Sequence, residues 1–125
     1  MTDGKFATSI SCMDGRIQDP IDKWIKDHYS VDYVDSITEQ GVDKKIATVS
    51  DLESIKTKVS ISVNIHKSEL IVVSGHYDCA ANPASYEEHM SQIKKGIKVV
   101  SSWNFGVDVI GAWIDENWTV HPIHS

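Results

Sequence analysis

The sequence lacks any apolar run close to the ~20 residues that a membrane-spanning helix needs. Its first ten residues, MTDGKFATSI, lack the basic segment followed by an apolar one that marks a secretory signal. It also lacks an excess of positive charge, because 12 Lys and Arg stand against 18 Asp and Glu, a formal net charge of −6. Such a surface repels nucleic acids and anionic membranes, so we expect neither as a partner and expect a cytoplasmic protein.

Cysteine is scarce, with only Cys12 and Cys79 in 125 residues. Thiols stay reduced in the cytoplasm, so a disulfide between the two is not the expected arrangement. The residues are instead candidates for metal ligands, catalytic groups or buried core positions.

Marks of a domain boundary are also missing, since the chain has no internal repeat, no low-complexity tract and no linker rich in Gly, Pro or Ser. Its length suits one ordinary domain and is too short for two comfortable ones. We therefore expect a single domain over residues 1–125.

What the sequence does contain is an alternation of strand-like and helix-like segments. The strand-like runs are residues 5–12, 31–38 and 69–75, followed by a closing pair at 107–115 and 118–123. The order β-α-β-α-β-α-β-β predicts a three-layer α/β fold with helices on both faces of the sheet. Right-handed crossovers favour a mainly parallel four-stranded sheet of order 2-1-3-4 with an added edge strand.

Three helix starts are indicated by capping residues. Asp19 is the predicted N-cap of the first helix, with Pro20 at the first helical position. Capping boxes, with a serine three residues before a glutamate, predict the other two starts at Ser50 and Ser85.

Several polar residues carry no expected role. The stretch DKK at 43–45 is predicted to be a solvated loop, and His121 and His124 to be solvated. His66 and His89 fall on predicted helices with no partner in view.

Chemistry-bearing residues follow the first and third strands. Cys12 closes strand 1 in ISCMDGR, and His76 and Cys79 follow strand 3 in SGHYDCAAN. In open parallel sheets, ligands bind beyond the carboxyl ends of strands whose connections leave in opposite directions. If strands 1 and 3 are neighbours, two thiols and an imidazole meet there. That donor set suits zinc and leaves a fourth position open.

Asp14 and Arg16 sharpen this hypothesis. In an extended segment, Cys12, Asp14 and Arg16 project to the same side at a period of two. A carboxylate there can orient a water at the metal, and a guanidinium keeps that carboxylate ionised and fixed. Simpler interpretations stay open: cysteines as small buried apolar residues, a core histidine, and a surface ion pair of little energetic value.

The two stretches resemble motifs of the β-class carbonic anhydrases. CMDGR resembles their C-x-D-x-R motif, GHYDC resembles G-H-x-x-C, and residues 107–120 are similar to the closing strands of the family. The resemblance implies that Cys12, His76 and Cys79 bind Zn²⁺ and that Asp14 and Arg16 form an orienting dyad. It also implies a homodimer or a higher homo-oligomer.

The chain departs from the usual family pattern in three ways. It is shorter than typical members, AANP follows Cys79 where glycine is usual, and TEQGVDKK replaces the Arg-Asn-Ala-Gly stretch after strand 2. The sequence therefore resembles a short and divergent member of the family.

The function that the resemblance implies is the reversible hydration of carbon dioxide to bicarbonate by a zinc lyase, through a zinc-bound hydroxide. One alternative keeps the metal and changes the substrate to carbonyl sulfide or carbon disulfide. Another is a non-catalytic zinc protein in which Asp14 closes the site. A nucleotide-binding module is disfavoured because no glycine-rich phosphate loop follows strand 1.

Overall fold

Five strands form one sheet in the computed structural model, which describes residues 4–124. The strands are β1 Phe6–Ser11, β2 Tyr33–Thr38, β3 Leu70–His76, β4 Asp108–Ile114 and β5 Val120–Ile123. The helices are α1 Gly15–Tyr29, α2 Val42–Thr48, α3 Glu53–Asn64 and α4 Tyr86–Ser101.

The strand order is β2-β1-β3-β4-β5, and only β5 runs antiparallel to its neighbour. This confirms the predicted parallel order 2-1-3-4 with an added edge strand. Every residue of β1 and β3 is buried, as expected for central strands covered on both faces. Because β1 pairs directly with β3, with Ile10 opposite Val73, the residues that follow these two strands lie close together.

Helices cover both faces of the sheet, as predicted. On one face, Leu70 and Val72 of β3 share a core with Ile17, Ile21 and Ile25 of α1. The alternate residues of β3, Ile71 and Val73, lie on the other face of the sheet and belong to a second core. Its members from the strands and helices include Ile10, Ile46, Ile55, Val59, Ile71, Val73 and Val100. Burying each such side chain contributes roughly 1.5–3 kcal/mol, so the sheet is anchored from both sides.

Helix α1 begins earlier than predicted. Its N-cap is Asp14, whose Oδ1 accepts a hydrogen bond of 2.8 Å from the backbone N–H of Arg16, and Pro20 lies inside the helix. The assignment of Asp19 as N-cap was therefore wrong. The buried stripe of Ile17, Ile21 and Ile25 has helical spacing, and its burial outweighs the hydrogen bond that Pro20 cannot donate.

Helix α2 was missed, and the prediction of a solvated loop at residues 43–45 was wrong. The helix has seven residues and no side-chain cap, so it is too short to show a periodic apolar pattern. Asp43, which the sequence marks as a surface residue, is only 2% exposed.

The two capping boxes had different outcomes. Ser85 caps α4, because its side chain accepts a hydrogen bond of 3.1 Å from the N–H of Glu88. Ser50 does not cap α3, whose N-cap is Leu52; the N–H of Glu53 donates instead to Asp51 at 3.2 Å. No helix within residues 4–124 is long and apolar enough to cross a membrane.

Candidate metal centre

Cys12, His76 and Cys79 meet beyond the carboxyl ends of β1 and β3. Cys12 directly follows β1, His76 is the last residue of β3, and Cys79 lies in the turn after it. The two Sγ atoms are 3.9 Å apart, and one donor atom from each of the three residues lies within 4.8 Å of the others. All three side chains are buried, so the group can hold a metal ion out of bulk solvent.

The imidazole of His76 is oriented as a metal ligand would be. Its Nδ1 lies 2.7 Å from the backbone oxygen of Tyr77 and donates to it, which leaves Nε2 with a free lone pair. That Nε2 is buried and has no hydrogen-bond partner among the described residues. An unpaired buried nitrogen costs about 1–3 kcal/mol, and a cation between the three side chains would remove that cost.

The two thiols also indicate a cation-binding site. Burial raises the pKa of the Cys79 thiol, and the neighbouring Cys12 raises it further, although the N–H groups of Ala81 and Asn82 oppose this. Two thiolates side by side in apolar surroundings therefore need a positive charge between them. Two sulfurs and one imidazole nitrogen are a donor set that zinc accepts.

Asp14 and Arg16 form the predicted pair, but not on an extended segment. Asp14 is the N-cap of α1 and Arg16 lies in its first turn, so the expected period-two projection was wrong. The Arg16 guanidinium reaches both Asp14 oxygens, with Nε at 3.1 and 3.2 Å and Nη2 at 2.7 Å. This hydrogen bonding lowers the pKa of Asp14 to about 2, so its carboxylate is ionised at neutral pH.

Two further partners of Arg16, Asp78 and Trp118, were missed from the sequence. Nη1 lies 3.1 Å from the Asp78 carboxylate, and Nη2 donates to the Asp78 backbone oxygen at 3.1 Å. The guanidinium carbon lies 5.0 Å from the ring centroid of Trp118. Asp78 stands between His76 and Cys79, so its position could have indicated a role, whereas no sequence pattern points to Trp118.

A buried polar group lies behind the loop that carries Cys79. The Asp43 carboxylate lies 2.6 Å from Nδ1 of His89 and accepts from Nδ2 of Asn82 at 2.9 Å. A side chain at Gly75 would overlap that carboxylate, so the glycine permits its close approach to β3. The expectation that His89 has no partner was therefore wrong.

The surroundings of three other histidines can be compared with the predictions: His66, His121 and His124. His66 also has a partner, since its Nδ1 lies 2.8 Å from the Asp35 carboxylate, which corrects the same expectation. His121 and His124 are exposed, as predicted, and Nε2 of His121 lies 2.7 Å from Asp115.

A family model with the description "Putative carbonic anhydrase" matches residues 2–124. A β-carbonic anhydrase isoform from the protozoan Trichomonas vaginalis has a TM-score of 0.65 at 17% identity, covering 93% of this chain and 81% of that one. Tetrameric β-carbonic anhydrases from the ascomycete Sordaria macrospora give 0.67 at 14%, covering 100% and 83%. A carbonic anhydrase from Streptococcus mutans gives 0.66 at 16%, covering 94% and 81%.

At these identities the solved structures show a common fold, and the buried triad of Cys12, His76 and Cys79 is typical of a β-carbonic anhydrase zinc site. No curated protein matches the chain in sequence.

Proposed function

This chain belongs to the family described as "Putative carbonic anhydrase", and from that premise we propose that it catalyses the reversible hydration of carbon dioxide to bicarbonate. Zn²⁺ would be held by Cys12, His76 and Cys79. The observation that carries the proposal is the unpaired, buried Nε2 of His76 in a group of three residues whose donor atoms, one from each, lie within 4.8 Å of one another. A structural core histidine would have found a partner for that nitrogen.

The surrounding residues supply the rest of the chemistry. Zinc bound by this donor set would supply Lewis-acid chemistry and would make water a nucleophile near neutral pH. Cys12 and Cys79, as thiolates, balance the charge of the divalent ion. Asp14 is ionised, so it accepts a hydrogen bond from the attacking water and orients its lone pair toward carbon dioxide.

Arg16 supports the catalytic alternative over the closed one. Its guanidinium engages both oxygens of Asp14, and its backbone N–H binds Oδ1 as well. A carboxylate held in this way is positioned to orient water, whereas a metal ligand would have to give up part of these contacts. The guanidinium is itself held by Asp78.

We also propose that the protein acts as a homodimer or a larger homo-oligomer. The Sordaria macrospora structures are described as tetrameric. Met13, which stands between Cys12 and Asp14, is 63% exposed. A second copy that covered this apolar side chain would shield the site from bulk water.

Stopped-flow measurement of carbon dioxide hydration by the zinc-loaded protein tests the activity. We expect a rate above that of buffer at alkaline pH.

Cys79→Ser should lose most of its zinc and its activity, because one of three ligands is removed. Asp14→Asn should keep its zinc and lose roughly 10–100-fold in rate, the usual cost of removing a group that orients a metal's surroundings.

Asp27→Asn is the matched control, because it removes an exposed carboxylate of the same helix that pairs with Lys23. It should retain both zinc and activity. A zinc-loaded wild type no faster than buffer would contradict the reaction, whereas equal zinc in the wild type and Cys79→Ser would contradict the ligand assignment.

A further inference from the structure

A cleft of about 620 Å³ opens beside the loop that joins His76 to Cys79, outside the metal triad. Three aromatic side chains and three carboxylates line it: Tyr77, Tyr86, Trp113, Asp78, Asp115 and Glu116. No lysine or arginine of the described chain contributes to the lining. The cleft therefore combines apolar surface with an excess of acidic groups.

His89 also lines this cleft, although it is only 3% exposed. Its Nδ1 lies 2.6 Å from Oδ2 of Asp43, a carboxylate that can only accept. Asn82 lies 3.5 Å from the same nitrogen, but its Nδ2 donates to Asp43 Oδ1 at 2.9 Å and to Gln92 Oε1 at 2.7 Å. The proton between His89 and Asp43 thus belongs to Nδ1.

When the ring is neutral, Nε2 of His89 is left as an acceptor. It has no hydrogen-bond partner among residues 4–124, and it is not among the side-chain atoms sealed from solvent without one. Since Nδ1 faces Asp43, Nε2 is the polar atom that His89 presents to the cleft. Asp43 fixes the tautomer and the ring orientation of His89, as carboxylates do for catalytic and metal-binding histidines. Nε2 is therefore a hydrogen-bond acceptor of fixed orientation that has no partner among the described residues of the cleft.

The rings around His89 form an aromatic corner. The His89 and Trp113 centroids are 5.0 Å apart, and Tyr86 meets Trp113 edge-on at 5.5 Å. Aromatic faces attract cations and pack against flat apolar groups, and indole does so most strongly.

The charges of the cleft favour a cation. Hydrogen bonds from His121 and from backbone N–H groups lower the pKa of Asp115, so it is ionised. Arg16 offsets the charge of Asp78 in part, and Nε2 of His121 lies 2.7 Å from the Asp115 carboxylate. Glu116 has no ion-pair partner within the described residues, and the chain carries a formal net charge of −6.

We propose that this cleft binds a small primary ammonium compound carried on a flat apolar body. The ammonium group donates a hydrogen bond to Nε2 of His89, its charge is stabilised by Glu116 and Asp115, and its apolar body packs on Trp113 and Tyr86. The site is separate from the metal triad, and the inference does not depend on the proposed hydration reaction.

Three probes of one shape and different charge test this on the zinc-loaded full chain: benzylammonium, benzyl alcohol and benzoate. Calorimetry gives the affinities, and amide chemical shifts locate the binding. We expect benzylammonium to bind roughly tenfold tighter than benzyl alcohol, because of the cation–π and carboxylate contributions, and benzoate to bind most weakly. The shifts should be largest around Trp113 and Tyr86.

Glu116→Gln should weaken benzylammonium several-fold and leave benzyl alcohol unchanged, because only a charge is removed. Glu69→Gln is the matched control, since Glu69 is exposed at the opposite, amino end of β3. His89→Gln should weaken both probes. The proposal is overturned if benzoate binds as tightly as benzylammonium, if Glu116→Gln and Glu69→Gln weaken benzylammonium binding equally, or if the shifts lie outside the cleft.

Discussion

At the scale of single residues, Arg16 connects two loops that are far apart in sequence. It binds Asp14 within its own helical turn and Asp78 from the loop between His76 and Cys79, 62 residues away. The Asp14 contact follows from neighbouring positions in CMDGR. The Asp78 contact depends on β1 and β3 lying side by side, so it was not predictable from spacing alone.

Arg16→Gln should raise the pKa of Asp14 from about 2 toward the ordinary value of 3.8, since hydrogen bonding from Arg16 is the largest cause of its lowering. A lowered carboxyl pKa contributes to stability above pH 3.8, and the contribution is lost as the pH falls through about 2. The wild type should therefore unfold at a higher urea concentration than the variant above pH 3.8, and the difference should shrink as the pH falls from 3.8 to about 2.

A carboxyl-carbon NMR titration measures the shift directly. Asp115 provides the internal reference, because its pKa is lowered by His121 and should not respond to Arg16→Gln. An Asp14 resonance that titrates at the same pH in both proteins would contradict the assignment.

At the scale of elements, capping sequences predicted one helix start of three. Ser85 has extended backbone angles, φ −69° and ψ 163°, which let its side chain reach the first turn of α4. At α3 the N-cap position falls on Leu52, so Ser50 lies outside the helix. The difference arises because a capping box constrains only four residues, whereas the chain path into the helix is set by packing.

Ser85→Ala should lower the free energy of unfolding by about 1 kcal/mol, because one N–H of the first turn of α4 loses its acceptor. Ser50→Ala makes the same chemical change at an exposed site and should change it by less than about 0.5 kcal/mol. Urea denaturation of both variants measures the difference. Equal losses would show that Ser85 does not act as a cap.

At the scale of the whole molecule, the sheet order brings the candidate site together. Connections from β1 and β3 leave toward opposite faces, α1 on one and α4 on the other, so a recess forms between the strand ends. The exposed apolar side chain of Met13 at this recess is the structural basis for expecting more than one copy in the working protein.

Sedimentation equilibrium over a concentration series should give at least two copies of the 13.9 kDa chain. Met13→Asp should shift the distribution toward the single chain, because it places a charge on an apolar surface that we expect a partner to cover. A single-chain mass at every concentration of the wild type would contradict the oligomer.

The sequence by itself determined the fold class, the strand order and the convergence of Cys12, His76 and Cys79. These depend on local patterns: two apolar runs that must be buried on both faces, and polar residues that directly follow them. The apolar pattern fixes a central strand within the sheet. The position of the residues at the end of that strand is therefore fixed as well.

Only the tertiary structure decided the course of α2, the pairing of Asp43 with His89 and the place of Trp118 beside Arg16. Asp43 and His89 are 46 residues apart, and neither belongs to a pattern that requires the other. Buried polar groups find partners because leaving them unpaired is costly, but which partner each finds depends on how distant elements pack.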